Sequence, residues 1–228
     1  MKGVYAISTN ITSALGLDTD TTWSNVVAGN IGIKEYKDEA LSPVPFYGSK
    51  IDETQWEAIR KTVGDNALSP FEQLCVYSAS KALQKIEIDL NETVLVLSTT
   101  KGNIELLGQA SDEQILLHRS AQIISKELGL ANKPVIISHA CVSGVVACLY
   151  AQRLLESGRY KNAIVIGADR FTKFVLSGFQ SFQAVADAPC KPFDAHRKGI
   201  NLGEAAATII LTTDSSQQAL AQLLSGST

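Results

Sequence analysis

Cys141 ends an apolar lead-in, Val135-Ile136-Ile137-Ser138-His139-Ala140, and opens a run of small and apolar residues that passes Gly144 and reaches Cys148. The pattern reads as strand, tight turn, helix, with the thiol at the turn. A thiol there faces the free N–H groups of the helix's first turn and the positive end of its macrodipole. Both favour the thiolate, which is the nucleophilic form. Strand–nucleophile–helix turns are a recurring way to expose an attacking atom. The competing reading is burial, because free cysteine is among the most buried residue types and is then inert. His139 stands two residues earlier. In a strand, i and i+2 share a face, so its imidazole is read either as a neighbour of the thiol or as a core group bonded through one nitrogen. Cys75 and Cys148 sit among apolar neighbours and read as core, whereas His118 and His196 read as exposed.

A second run, Cys190 to Ala205, is rich in polar and glycine positions. Asp194 and Arg197 are three apart, close enough to pair or to cap a turn. Gly199 and Gly203 permit backbone geometry that other residues resist. Glu204 stands at the mouth of an apolar strand, where a carboxylate is costly unless paired or hydrogen-bonded. The run is expected to fold a loop over the site rather than to perform chemistry. It belongs to the segment 169–203, which is too long for an ordinary connection and is therefore suspect as functional.

Positioning these groups falls to a set of alternating elements. Five strands are expected, at Val4–Ile7, Thr93–Thr99, Pro134–Ser138, Asn162–Ala168 and Ala205–Thr212. The near-continuous apolar runs at 93–99 and 162–168 indicate strands covered on both faces. Helices are expected at 21–29, from Ser69-Pro70-Phe71-Glu72 onward, at 114–128 and at 144–156. Serine cap, proline and acid mark the second of these, and Gly29 and Gly129 close the first and third. Residues 8–20 read as a polar loop. Residues 30–66 read as irregular, with a strand near Val44–Tyr47 and a helical piece over Gln55–Lys61. The result is an α/β fold with a mixed, mainly parallel sheet and helices on both faces.

The 228 residues suffice for one sizeable domain, and 45% hydrophobic with 19% charged residues indicates a folded chain. A net charge of −3 gives no nucleic-acid footprint. No apolar run has the length of a membrane helix, and the N-terminus turns polar too early for a signal-peptide core. The four cysteines show neither CxxC pairing nor zinc spacing, so a reduced, cytoplasmic setting is expected.

Together the two runs resemble the β-ketoacyl-acyl-carrier-protein synthases, the condensing enzymes of the thiolase-like fold. The matching residues are Ala140-Cys141-Val142-Ser143-Gly144, Gly167-Ala168-Asp169, Ser177-Gly178-Phe179, and Pro192-Phe193-Asp194 through Arg197, Gly199 and Leu202-Gly203-Glu204-Ala205. The resemblance spans about Met1 to Leu211. It implies that Cys141 accepts an acyl group as a thioester, with its backbone N–H as half of an oxyanion hole. Phe179 resembles the phenylalanine bordering the family's acyl pocket. Thr100-Lys101-Gly102 takes the place of its glycine-rich segment beside the acyl channel, with Lys101 where small or apolar residues are usual. The implied reaction is decarboxylative Claisen condensation with malonyl-acyl carrier protein, in fatty acid, polyketide or polyene synthesis, without metal or organic cofactor. The partners implied are acyl carrier protein and a second synthase subunit, as homodimer or heterodimer, paired through the strand at Pro134–Ser138. Residues 1–228 correspond to the N-terminal half of a duplicated fold. The family's decarboxylating histidines, the lysine between them and its second oxyanion donor belong to a second half not present in these residues. The alternative is a non-catalytic scaffold subunit of the chain-length-factor type, which typically replaces the nucleophile.

Overall fold

A computed structural model describes residues 3–64, 68–224 and 226. Along the chain lie β1 (Val4–Ser13), α1 (Thr19–Val27), β2 (Lys34–Tyr36), β3 (Phe46–Ser49), α2 (Glu53–Val63), α3 (Pro70–Leu83), β4 (Thr93–Ser98), α4 (Asp112–Ile115), α5 (Leu117–Glu127), β5 (Val135–Ile137), α6 (Ser143–Glu156), β6 (Asn162–Asp169), α7 (Lys173–Ser181), β7 (Leu202–Gly203), β8 (Ala205–Thr212) and β9 (Ala221–Leu223).

Six strands form the main sheet, in the order β5-β4-β6-β8-β1-β9. β4 pairs in parallel with both β5 and β6, and β8 lies antiparallel between β6 and β1. Strands β1, β4, β5 and β6 therefore run one way, and β8 and β9 the other. The expected five-stranded sheet gains β9, a three-residue edge too short for alternation to reveal. Its parallel pairing is confined to one half, because β8 inserts against the common direction. β2, β3 and β7 form a separate small sheet.

Period-two alternation assigns each face of β4 to a different helix layer. Leu95 and Leu97 join a core with Leu74, Ile124 and Ile164, from α3, α5 and β6. Val94 and Val96 face the other way, onto Ala147, Ala151 and Leu155 of α6. Each large aliphatic side chain buried there stabilises the layer by about 1.5–3 kcal/mol. α3 starts as its sequence indicates: Ser69 Oγ accepts the Glu72 N–H and the Glu72 carboxylate accepts the Ser69 N–H.

β1 is longer than the four residues expected. Its second half, read as loop, alternates into the core with polar side chains: Ser8, Asn10 and Thr12 are all buried. Their donors find partners, and only Asn10 Oδ1 among them is buried without one. Ser8 Oγ donates to the Ala82 carbonyl at 2.7 Å, and Asn10 Nδ2 donates to Thr12 Oγ1 at 2.9 Å. The helix expected over 114–128 is broken at Leu116, whose extended backbone (ψ 126) separates α4 from α5. The helical piece over Gln55–Lys61 lies within α2, and the strand near Val44–Tyr47 is β3. The irregular reading of 65–66 lies outside the described residues. Among the described residues no helix is long and apolar enough to cross a membrane.

Candidate active site

β5 delivers the chain to the sheet edge, and a single 3-10 turn, Ala140–Val142, joins it to α6. Ala140 carries a φ of +46, in the left-handed region that a Cβ disfavours by roughly 1–2 kcal/mol. Ser143 holds the turn: its Oγ accepts the His139 N–H at 2.7 Å and donates to the Ala140 carbonyl at 2.7 Å. The bend leaves Cys141 exposed immediately ahead of the 14-residue α6. The burial reading of Cys141 is thus excluded, while it holds for Cys75 and in part for Cys148. Burial pushes the Cys75 thiol well above its ordinary range, with Glu72 and Asp169 adding to the shift, and burial also raises Cys148.

Cys141 lies where two cavities meet. One, of about 460 Å³, is shared with Lys101, Phe179, Val175, Arg170 and Leu202. The other, of about 510 Å³, is lined largely by small residues, among them Ser98, Gly144, Gly167 and Ala168. Asp169 and Gly203 border both. The three residues singled out as candidates, Cys141, Phe179 and Lys101, therefore share one cavity.

Phe179 arrives on α7. Thr172 caps that helix by accepting the Val175 N–H, and buried Leu176 roots it against Phe46 and Phe171. Val175 and Phe179, four apart on one helical face, then both turn to the cavity. Lys101 arrives on the turn after β4. Gly102 adopts φ +51 there, and a Cβ on it would lie 2.7 Å from Leu117 Cδ2. Thr99 Oγ1 accepts the Gly102 N–H at 3.0 Å and donates to Asp169 Oδ1 at 2.9 Å. Asn103 anchors the end of the turn: its amide donates to Glu72 Oε1 and Ser120 Oγ, and its carbonyl oxygen accepts from Ser69 Oγ at 2.6 Å.

Behind the cavity wall lies an arrangement that the sequence did not announce. Glu204 is buried, 4% exposed, as its place at the mouth of β8 requires. Its Oε1 accepts the Ile51 N–H at 2.9 Å, and its Oε2 accepts the Phe171 N–H at 3.3 Å and lies 3.4 Å from Arg170 Nε. Arg170 stacks on Trp56, 4.4 Å from the ring centre, and its Nη2 meets Glu105 Oε2 at 3.3 Å. One guanidinium thus joins two carboxylates from separate walls. Desolvation raises the Glu105 carboxyl above its ordinary value, and the attraction of Arg170 only partly opposes this. Arg170 and Glu105 are 65 residues apart, so no local spacing reveals them.

Three expectations are corrected. The run from Cys190 to Lys198 lines neither cavity at Cys141; its exposed Asp194 and Arg197 close a turn on themselves, and Phe193 is fully exposed at 101%. From the longer run to Ala205, only Leu202, Gly203, Glu204 and Ala205 reach the site. Gly199 does need its freedom, with φ +109, whereas Gly203 lies in β7. His139 lines neither cavity and contributes its backbone rather than its imidazole to the turn.

Comparison with known proteins places these features in a family. The family model "Beta-ketoacyl synthase, N-terminal domain" matches residues 1–217. The "3-oxoacyl-[acyl-carrier-protein] synthase 2" of Mycobacterium leprae is 23% identical over 92% of this chain and 56% of its own length. A putative mitochondrial 3-oxoacyl-[acyl-carrier-protein] synthase of Schizosaccharomyces pombe is 24% identical over 92% of this chain and 58% of its own. Among solved structures, the ishigamide ketosynthase/chain length factor superposes with a TM-score of 0.78 at 19% identity, covering 98% of this chain and 62% of that one. A β-ketoacyl synthase from Burkholderia phymatum gives 0.77 at 19% identity, over 97% and 63%. The chain thus spans a little over half the length of these relatives. With its thiolase-like fold and the match from residue 1 to 217, this chain belongs to the β-ketoacyl synthase family.

Proposed function

We propose that Cys141 is the nucleophile of a condensing enzyme and that this chain carries its acyl-accepting half. The observation that carries the reading is the strained, exposed turn that holds Cys141 where both cavities open. Sγ attacks the carbonyl of an acyl thioester, the carrier's thiol leaves with the proton, and the acyl group remains on Cys141. The Cys141 N–H, at the start of a helix, is suited to donate to the tetrahedral oxyanion. Phe179 and Lys101 border the acyl chain. In the second step the carbanion equivalent released as malonyl-acyl carrier protein loses carbon dioxide attacks the acyl carbonyl and regenerates the thiol. The groups for that step are assigned to a second half, following in the same polypeptide or supplied as a separate chain. No metal or organic cofactor is required. Acyl carrier protein is the delivering partner. β5, half-buried at the open edge of the sheet, is the strand to which a second subunit adds.

The test is acylation. The protein is mixed with octanoyl-CoA, its intact mass is recorded, and the modified peptide is mapped. One octanoyl group on Cys141, absent in Cys141→Ser, is the expected result. An unmodified protein whose Cys141 still reacts with iodoacetamide would overturn the nucleophile reading. It would favour the scaffold alternative, to which the ketosynthase/chain length factor complexes among the structural neighbours lend weight. The presence of a cysteine at position 141 weighs against that alternative.

A further inference from the structure

The cavity beside Cys141 is not a plain hydrocarbon slot. Val175, Phe179 and Leu202 supply apolar wall, but Lys101, Asp169 and Arg170 bring three charges to the same space. Two of these are already engaged. Asp169 Oδ1 accepts the Thr99 hydroxyl and the Thr100 N–H. Arg170 stands between Glu105 and Glu204. Lys101 differs: none of the five ion pairs among the described residues includes it.

A ligand that fills the cavity excludes solvent from the polar groups that line it. A saturated chain offers the ammonium nothing in return, so its binding carries an uncompensated desolvation cost. A chain with an oxygen at that depth returns a charge-assisted hydrogen bond. Arg170 Nη1 and Glu105 Oε1 are both buried without a partner, so this pair leaves donor and acceptor in balance, and Lys101 is the lining cation that no carboxylate among the described residues offsets. A strongly anionic group is not what the balance calls for, since Asp169 lines the same cavity and Glu204 lies behind it. A neutral acceptor, a hydroxyl or carbonyl oxygen, fits best.

We infer that this site selects acyl thioesters that carry an oxygen along the acyl chain, with Lys101 as the residue that binds it. The inference rests on the acyl-enzyme reading above and adds the substrate class. Buried polar groups left unpaired are what make such selection strong, whereas an apolar pocket alone discriminates weakly.

The experiment is a competition on the whole chain. Matched CoA thioesters with six, eight and ten carbons, each plain or ω-hydroxylated, are offered in pairs, and the adducts on Cys141 are counted by mass spectrometry. At the length that reaches Lys101, the hydroxylated chain is expected to win by roughly tenfold. Lys101→Met should bring the ratio to near unity or reverse it. Lys101→Gln, which keeps a donor without the charge, should retain part of the preference and serves if the first variant folds poorly. Equal or preferential loading of plain chains at every length would overturn the inference alone, as would a preference unchanged in both variants. No adduct with any thioester would overturn the acyl-enzyme reading and this inference with it.

Discussion

The turn at Cys141 and the wall at Arg170 face the same cavity and are built by opposite means. The turn is held by backbone: one residue at positive φ, one serine bridging two main-chain groups, and an exposed thiol. The wall is held by side chains: a buried guanidinium stacked on Trp56 and shared by two carboxylates that start on different loops. The difference teaches how the two tasks divide. An attacking atom must be reachable, so nothing can be packed on top of it, and its position must come from the chain beneath. A cavity wall needs only to stay in place, so it can be fixed by buried charge, which is intolerant of loss. If that division is right, damage to the wall should cost folding, and damage to the turn should cost reactivity more than folding.

The largest effect is expected at the wall. Arg170→Met leaves the buried Glu204 and the half-buried Glu105 with no cation between them, and breaking the buried Glu204 pair in this way costs about 3–5 kcal/mol. Urea unfolding should show the midpoint fall with little change in slope. A loss below about 1 kcal/mol would mean that the wall is not held by charge, and the comparison would break.

Much of this division was invisible in the sequence, for reasons that differ from residue to residue. β4 and β6 were legible because runs buried on both faces carry an apolar signal that needs no partner to be named, and β8 because its run is apolar although its burial alternates. The start of α3 was legible because its cap is complete within four residues. Cys141 stood out by residue type at a turn, whereas Lys101 and Phe179 stood out only through the family resemblance. The far half of β1 was not legible, since Ser8 looks like loop until Ala82, 74 positions on, supplies its acceptor. Arg170 and Glu105 were hidden for the same reason. Glu204 was flagged as needing a partner, but only the fold says that the partners are the N–H groups of Ile51 and Phe171 and the guanidinium of Arg170.

A smaller effect is expected at the turn. Ser143→Ala removes the acceptor for the His139 N–H and the donor to the Ala140 carbonyl. The loss of stability should be about 1–2 kcal/mol, in the range of a lost helix cap. Because Ala140 then lacks what holds it at φ +46, the turn should relax. Iodoacetamide labelling of Cys141 should slow relative to Cys190 in the same molecule. Unchanged relative labelling would mean that the strained backbone, and not the serine, sets the thiol's position.

The smallest effect separates burial from pairing within the wall, and its sign is set by Glu105. Burial raises this carboxyl above its ordinary 4.5 more than Arg170 lowers it. The folded protein therefore holds the Glu105 proton more tightly than the unfolded chain does. That contribution to stability is complete below pH 4.5 and is lost as the pH rises through the raised value. Glu105→Gln removes the titration and keeps a neutral partner beside Arg170. Relative to the variant, the wild type should lose stability as the pH climbs from 4.5 toward neutrality, by about 1 kcal/mol or less for a pair with some access to water. Urea midpoints of both proteins across that range give the measurement. A wild type that gains on the variant as the pH rises would show that the attraction of Arg170 outweighs burial, and that this carboxylate is held by its charge in the same way as Glu204.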